Sequence, residues 1–290
     1  NVVNIIASLG LVYLCGMKVE GVALGTLIAQ YAGFLMGIVL WMHNYGRLKR
    51  FWEIKNYKLK IKGREGAGIW EKEAMFRFFQ VNRDIFLRTL CLVAVTLFFT
   101  SAGASQGEII LAVNTLLMQL FTLFSYVMDG FAYAGEALSG RYIGARNREA
   151  FTDTVRHLFG WGAVMAVLFT LVYALGGNAF LGLLTDDKEV IAVADTYFYW
   201  ALAVPAVGIA AFIWDGIFIG ATATRGMLLS MAAAAVSFFI LYYGLHPVLA
   251  NHALWLAFLT YLLMRGVVQT GLSREVIRRA FPSKKEPAWR

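Results

Sequence analysis

Long apolar runs alternate with short polar segments along the 290 residues of the chain. A helix needs roughly 20 residues to cross a hydrocarbon core about 30 Å thick. Seven runs reach that length: residues 21–43, 84–103, 108–140, 156–177, 190–221, 226–245 and 252–272. An eighth run, residues 1–16, is shorter, and we interpret it as a helix whose first part precedes this sequence.

The runs are predicted to be helices rather than membrane strands. Lipid supplies no water to backbone amides, so a spanning segment must satisfy its own hydrogen bonds or belong to a closed barrel. The runs do not show the period-two alternation of barrel strands. The fold class predicted is therefore an all-α integral membrane protein with eight transmembrane helices.

Basic residues between the runs predict how the chain is oriented. Residues 47–77 hold ten Lys or Arg against four acids, and residues 141–156 hold four against two. Cytoplasmic loops carry an excess of Lys and Arg, so both segments are predicted to be cytoplasmic. The turn at Arg225 and the basic tail fall on the same side by helix counting. We expect a multi-pass protein of the inner or plasma membrane with both ends of the chain in the cytoplasm.

Composition agrees with a membrane protein and excludes other classes. Hydrophobic residues make up 59% of the chain and charged residues 15%, whereas soluble domains carry roughly a quarter charged residues. The net charge of +8 is spread between the apolar runs, so we expect no nucleic-acid partner. The sequence has no HExxH, GxSxG or P-loop motif and its histidines are scattered, so we predict neither an enzyme nor a metal or other cofactor.

A polar stripe follows the helix predicted at residues 108–140. Four of its residues recur every seven positions and two tyrosines lie within about 60° of the same line: Thr115, Thr122, Asp129 and Glu136, with Tyr126 and Tyr133. A charged side chain facing lipid costs about 2.5–3.5 kcal/mol on insertion scales. The stripe is therefore predicted to line a water-filled cavity or to face other helices.

Two aspartates are predicted to lie near the middle of the bilayer. Asp129 is 12 residues from Arg141 and Asp215 is 10 residues from Arg225, which is about 18 and 15 Å at 1.5 Å per residue. Each could be a buried, hydrogen-bonded acid that ties helices together, or a titratable site that binds a proton or cation. Glu136, nearer the membrane edge, is a third candidate for coupling.

Other positions inside the runs receive structural interpretations. Pro205 removes a backbone donor from its helix and is either a hinge or a fixed bend. Asp84 and Arg88, four residues apart, are predicted to form an intrahelical ion pair. Arg265 has no nearby acid in the sequence, so its counter-ion is expected on a neighbouring helix.

Several motifs, taken in order, resemble a known family. They are NRDIFLRTL at 82–90, MDGFAYAGEALSGRYIGAR at 128–146, WDGIFIGATATRGM at 214–227, NHALWLAF at 251–258 and MRG at 264–266. They look like the multidrug and toxic compound extrusion (MATE) family, in its DinF-like branch. Such transporters have twelve helices in two six-helix lobes, so the resemblance implies that this chain supplies helices five to twelve.

That resemblance implies a domain organisation. Residues 1–46 would be the last two helices of the N-terminal lobe, and residues 47–83 a cytoplasmic linker. Within the linker, the apolar and charged positions of residues 68–81 fall on different helical faces, which predicts an amphipathic helix along the membrane surface. Residues 84–275 would form the six-helix C-terminal lobe, followed by a basic cytoplasmic tail at 276–290. The preceding helices of the first lobe would be partners of this chain, beside membrane lipids and a small organic substrate. We expect a monomer.

The resemblance also implies a function, namely an antiporter that exports organic, often cationic, compounds in exchange for protons or sodium by alternating access. Asp215 matches in context the tenth-helix acid of a cation-linked site in NorM-like members. The helix-seven glutamate of those members has no counterpart in residues 85–103, and the proton-linked aspartate of the DinF-like branch belongs to helix one. Alternatives are a flippase for lipids or lipid-linked oligosaccharides, and a truncated remnant that does not transport.

Overall fold

The computed structural model describes residues 2–14, 16–45 and 72–282. Within these residues the secondary structure is helical, without strands, and the eight helices are α1 (Val2–Tyr13), α2 (Val19–Tyr45), α3 (Lys72–Ala104), α4 (Glu108–Gly144), α5 (Arg148–Leu184), α6 (Lys188–Gly220), α7 (Thr224–Leu249) and α8 (Asn251–Ala280). Seven of them are long and apolar enough to cross a membrane, and α1 is a shorter apolar helix. The prediction of an all-α integral membrane protein is confirmed at this level.

The described residues form two compact units that divide at Lys72. The first unit is the hairpin of α1 and α2, which pack against each other. Gly25 permits this contact, because a Cβ there would lie 2.3 Å from the Ser8 hydroxyl oxygen and 2.7 Å from its backbone nitrogen. Most other side chains of α2 are exposed and apolar, as expected for a surface that meets lipid.

The second unit contains α3 to α8, and its two most buried helices are α6 and α8. They pack against each other, while α4 and α5 cover α6 and α7 covers α8. The largest side chains of the core include Phe124, Phe218, Phe238 and Trp255. The helix α3 joins this core through Phe99, whose ring meets the Trp255 ring edge-on at 5.2 Å.

Backbone-to-backbone contact between α4 and α6 depends on two glycines spaced four apart. A Cβ on Gly216 would lie 2.0 Å from the carbonyl oxygen of Ala132, and one on Gly220 would lie 2.4 Å from that of Glu136. Small residues at this spacing allow membrane helices to approach closely. On the α4 side of this contact Gly140 lies against Gly220, whereas a Cβ on Gly144 would meet open space.

The helix α3 differs from the sequence expectation at its first turns. The amphipathic helix expected at 68–81 and the span expected at 84–103 form one helix from Lys72 to Ala104. Residues 68–71, like most of the expected linker, lie outside the described residues. The helix continues across the expected junction because residues 72–84 contain neither proline nor glycine to interrupt it.

Candidate functional site

A buried ion cluster surrounds Asp215 in the second half of α6. Its carboxylate accepts hydrogen bonds from Arg88 on α3, from Arg265 of α8 at 2.7 Å and from Gln269 of α8 at 2.5 Å. Both arginines donate to the same oxygen, Oδ2, while Gln269 donates to Oδ1. A single carboxylate therefore joins three helices and faces two positive charges.

The two arginines of this cluster differ in their surroundings. The Arg265 side chain is 6% exposed and its guanidinium carbon lies 5.5 Å from the Tyr261 ring centre and 5.9 Å from that of Phe212. Such cation–π contacts offset part of the cost of burying the charge. The Arg88 side chain is 20% exposed. The Nε atoms of both arginines are buried and have no hydrogen-bond partner among the described residues, so the cluster has donors that Asp215 does not use.

The predicted ion pair between Asp84 and Arg88 is wrong, although the two residues share one face of α3. Arg88 reaches across to Asp215, whereas Asp84 accepts hydrogen bonds from Arg83 at 3.0 Å and from the Thr224 hydroxyl at 3.3 Å. Arg88 is thus paired across helices, and Asp84 is paired with its sequence neighbour Arg83 and with Thr224 of another helix. The counter-ion expected for Arg265 on a neighbouring helix is Asp215.

Asp129 lies close enough to the cluster to interact electrostatically with Asp215, Arg265 and Arg88. Its carboxylate is half-buried, and no hydrogen bond to it is found within the part of the chain that the structure describes. Two acids of similar predicted depth therefore have different environments. Asp215 is enclosed by donors, while Asp129 remains open to a ligand, a proton or water.

The rest of the polar stripe lies along the exposed side of α4. Tyr126 and Tyr133 are 71% and 70% exposed, and Glu136 is half-buried. Thr115 and Thr122 donate to carbonyl oxygens one turn earlier in the same helix, at 2.8 and 2.9 Å. The structure thus places all these predicted residues on one surface, and none of them lines either of the two grooves found among the described residues.

Pro205 is buried within α6, and the helix continues on both sides of it. A hinge at this position stays a prediction. The histidines, cysteines and acids of the described ranges form no group of three or more that could hold a metal ion.

Two buried polar features were missing from the sequence interpretation. Gln269 lies four residues after Arg265, so the same helical spacing that grouped the stripe would have placed it beside the arginine. Asn114 of α4 and Asn251 of α8 exchange hydrogen bonds of 2.8 and 3.0 Å, and the Trp255 indole donates to Asn114 at 2.8 Å. Nothing in the sequence pairs residues so far apart.

The comparisons with known proteins agree with the motifs. A family model described as MatE matches residues 85–248. The chain is 38% identical over 270 residues to DNA damage-inducible protein F of Escherichia coli (strain K12), covering 92% of this chain and 55% of that protein. It is 26% identical to Protein DETOXIFICATION 45, chloroplastic, of Arabidopsis thaliana, over 46% of this chain and 24% of that protein. It is 21% identical to Protein DETOXIFICATION 42 of the same organism, over 92% of this chain and 48% of that protein.

The chain therefore spans at most about half the length of the curated relatives that it matches. The family match covers more than half of this chain, from α3 to α7, and includes Arg88 and Asp215 of the ion cluster. The chain belongs to the MatE family, whose members are membrane transporters.

Proposed function

We propose that the full-length gene product containing this chain is an antiporter that exports small organic, often cationic, compounds in exchange for protons or sodium. In this proposal α3 to α8 form a complete six-helix lobe, and α1 and α2 are the last two spanning helices of the other lobe. The segments rich in Lys and Arg face the cytoplasm, and the two lobes alternate in exposing a central cavity to each side.

One observation carries the proposal, namely the Asp129 carboxylate on the exposed polar stripe, which has no hydrogen-bond partner among the described residues. Tyr126 and Tyr133 flank it on the same surface of α4 and present their rings to the outside. A carboxylate between aromatic rings suits an organic cation, which gains from the charge and from ring contacts. Glu136, one heptad further along, could extend the same surface.

The charges of the neighbouring ion cluster support Asp129 as the coupling residue. Asp215, Arg88 and Arg265 together carry a net positive charge, and ionised Asp129 balances it. Protonation of Asp129 from outside would remove that balance and weaken the hold on a cationic substrate. The proton's return inward is favoured, since one charge crossing the membrane potential is worth about 2.3 kcal/mol per 100 mV.

The test is efflux of a fluorescent organic cation from proteoliposomes that contain the full-length gene product, driven by either a proton or a sodium gradient. Asp129→Asn is expected to abolish gradient-driven efflux or make it independent of pH. Asp195→Asn is the matched control, because Asp195 is an exposed acid on α6 that lies 20 residues, or about 30 Å of helix, before Asp215. Unchanged efflux with unchanged pH dependence in Asp129→Asn would show that coupling lies elsewhere.

The flippase alternative depends on a basic site for a phosphate group. Its candidates are Arg88 and Arg265, and both guanidiniums are engaged by Asp215. This pairing supports the antiporter over the flippase. Assaying lipid-linked sugar translocation in the same proteoliposomes compares the two functions directly.

A further inference from the structure

A groove of about 420 Å³ lies between the last turns of α4 and the first turns of α5. Its lining changes in character along the helices. Along α5 the polar Asp153, Thr154 and His157 come first and the apolar Leu158 and Trp161 follow, while α4 contributes the apolar Phe131 and Leu138. One end is thus polar and charged, and the remainder is apolar.

This groove is separate from the polar stripe of α4. At 100° per residue, Phe131 and Leu138 project about 180° away from Asp129 and its neighbours on the stripe. The stripe and the groove are therefore on opposite sides of α4. A ligand in the groove would not occupy the surface that we propose for transport.

An exposed apolar surface continues from the groove along α5. Trp161, Val164, Leu168 and Val172 follow one another at helical spacing on one face, and all are about half exposed or more. From Trp161 to Val172 this face is about 16 Å long at 1.5 Å per residue. That length matches one leaflet of a hydrocarbon core about 30 Å thick.

Asp153 at the polar end of the groove is paired with a basic residue, Arg156, which follows it by three positions but is not itself among the residues that line the groove. Asp153 and Arg156 lie 3.6 Å apart in a loose, exposed pair. The His157 Nδ1 donates to the carbonyl oxygen of Asp153 at 2.7 Å, which leaves Nε2 as the ring nitrogen that a ligand could reach. A zwitterionic head group can satisfy both members of such a pair, with its ammonium on the carboxylate and its phosphate on the guanidinium.

We propose that this groove binds a membrane phospholipid whose head group carries a primary ammonium. Asp153 accepts hydrogen bonds from the ammonium, Arg156 contacts the phosphate, and an acyl chain lies along Trp161 and the apolar face of α5. The primary ammonium is required because it brings N–H donors to the carboxylate, which a quaternary ammonium does not. The inference does not depend on the transport proposal.

The test is native mass spectrometry of the purified full-length gene product, exchanged in turn into dioleoyl phosphatidylethanolamine, phosphatidylcholine and phosphatidylglycerol. Retention of phosphatidylethanolamine is expected to exceed that of the other two by about fivefold, which corresponds to the upper end of the range for exposed ion pairs. Asp153→Asn is expected to remove this preference. Glu149→Gln, an exposed acid in the first turn of α5 outside the groove, is expected to keep it.

Three results would overturn the proposal. They are equal retention of the three lipids, preferential retention of phosphatidylglycerol, and an unchanged preference in Asp153→Asn. Maleimide labelling tests whether another part of the gene product occupies the groove. It is applied to a Trp161→Cys variant in which Cys15 and Cys91 are replaced by serine. If the new cysteine cannot be labelled even in detergent without added lipid, another part of the gene product covers the groove and the lipid assignment is wrong.

Discussion

Replacing Asp215 by asparagine is the most direct test of the buried ion cluster. The change preserves the size of the side chain and removes the one negative charge that Arg88 and Arg265 both contact. Removing one partner of a buried ion pair typically costs about 3–5 kcal/mol, since the remaining charge is buried without compensation. Arg265, 6% exposed, cannot rehydrate in place, whereas Arg88, 20% exposed, can recover some water.

We therefore expect Asp215→Asn to lose about 4 kcal/mol of stability, which corresponds to a fall in melting temperature of about 10 °C. The measurement is thermal unfolding of the full-length gene product in detergent, followed by loss of the folded peak in size-exclusion chromatography. Asp195→Asn, an exposed acid on the same helix, is the control and should change stability by less than about 0.5 kcal/mol.

A second variant separates lost charge balance from other damage. Asp215→Asn combined with Arg265→Gln returns the cluster to its original net charge of one, so the double variant should be more stable than Asp215→Asn alone. Contacting residues that share one network are expected to show this kind of non-additivity. The reasoning is refuted if Asp215→Asn is as stable as the control, or if the two substitutions destabilise additively.

Two other predictions concern how the helices are joined. Gly216→Ala is expected to lose about 2 kcal/mol or more of stability through overpacking, because its Cβ would lie 2.0 Å from a backbone oxygen of α4. Gly130→Ala is the control and should be neutral or slightly stabilising, because its Cβ would meet open space. Equal melting temperatures of the two variants would contradict the close contact. Asn114→Ala leaves Asn251 and Trp255 without their shared hydrogen-bond partner and should lower stability by about 1–3 kcal/mol in the same thermal assay. A melting temperature equal to that of the unmodified protein would show that these hydrogen bonds do not contribute to stability.

The helices themselves were predictable because hydrophobic length is a strong signal. The apolar run at 156–177 is the middle of α5, which extends to Arg148 and Leu184. Its start carries a recognisable signal in Asn147, whose side chain accepts a hydrogen bond from the backbone of Ala150. Hydropathy marks where a helix lies in lipid, not where it ends, so the helices continue into polar sequence beyond most of the predicted runs.

The charge pairings were not predictable, because each depends on tertiary packing. Arg88 and Arg265 meet Asp215 across 127 and 50 positions of the chain. The helical i, i+4 spacing predicts Asp84 as the partner of Arg88, but the structure pairs Arg88 with Asp215 of another helix. The helical period could nevertheless place Asp129 with its tyrosines on one face, since that grouping needs only a single helix.

Asp129 and Asp215 illustrate why depth in the membrane is not enough to assign a coupling residue. A residue that binds and releases a proton during transport must be accessible to water in at least one state. Its neutralisation must also leave the packing of the surrounding helices intact. Asp215 accepts from three side chains on two other helices, so its neutralisation would disrupt the packing of α3, α6 and α8. Asp129 makes no such bonds within the described residues, so its neutralisation would break none of these contacts. In the function that we propose, the cluster that disfavours Asp215 as a proton carrier also surrounds Asp129 with charges, so that protonation of Asp129 would alter the hold on a bound cation.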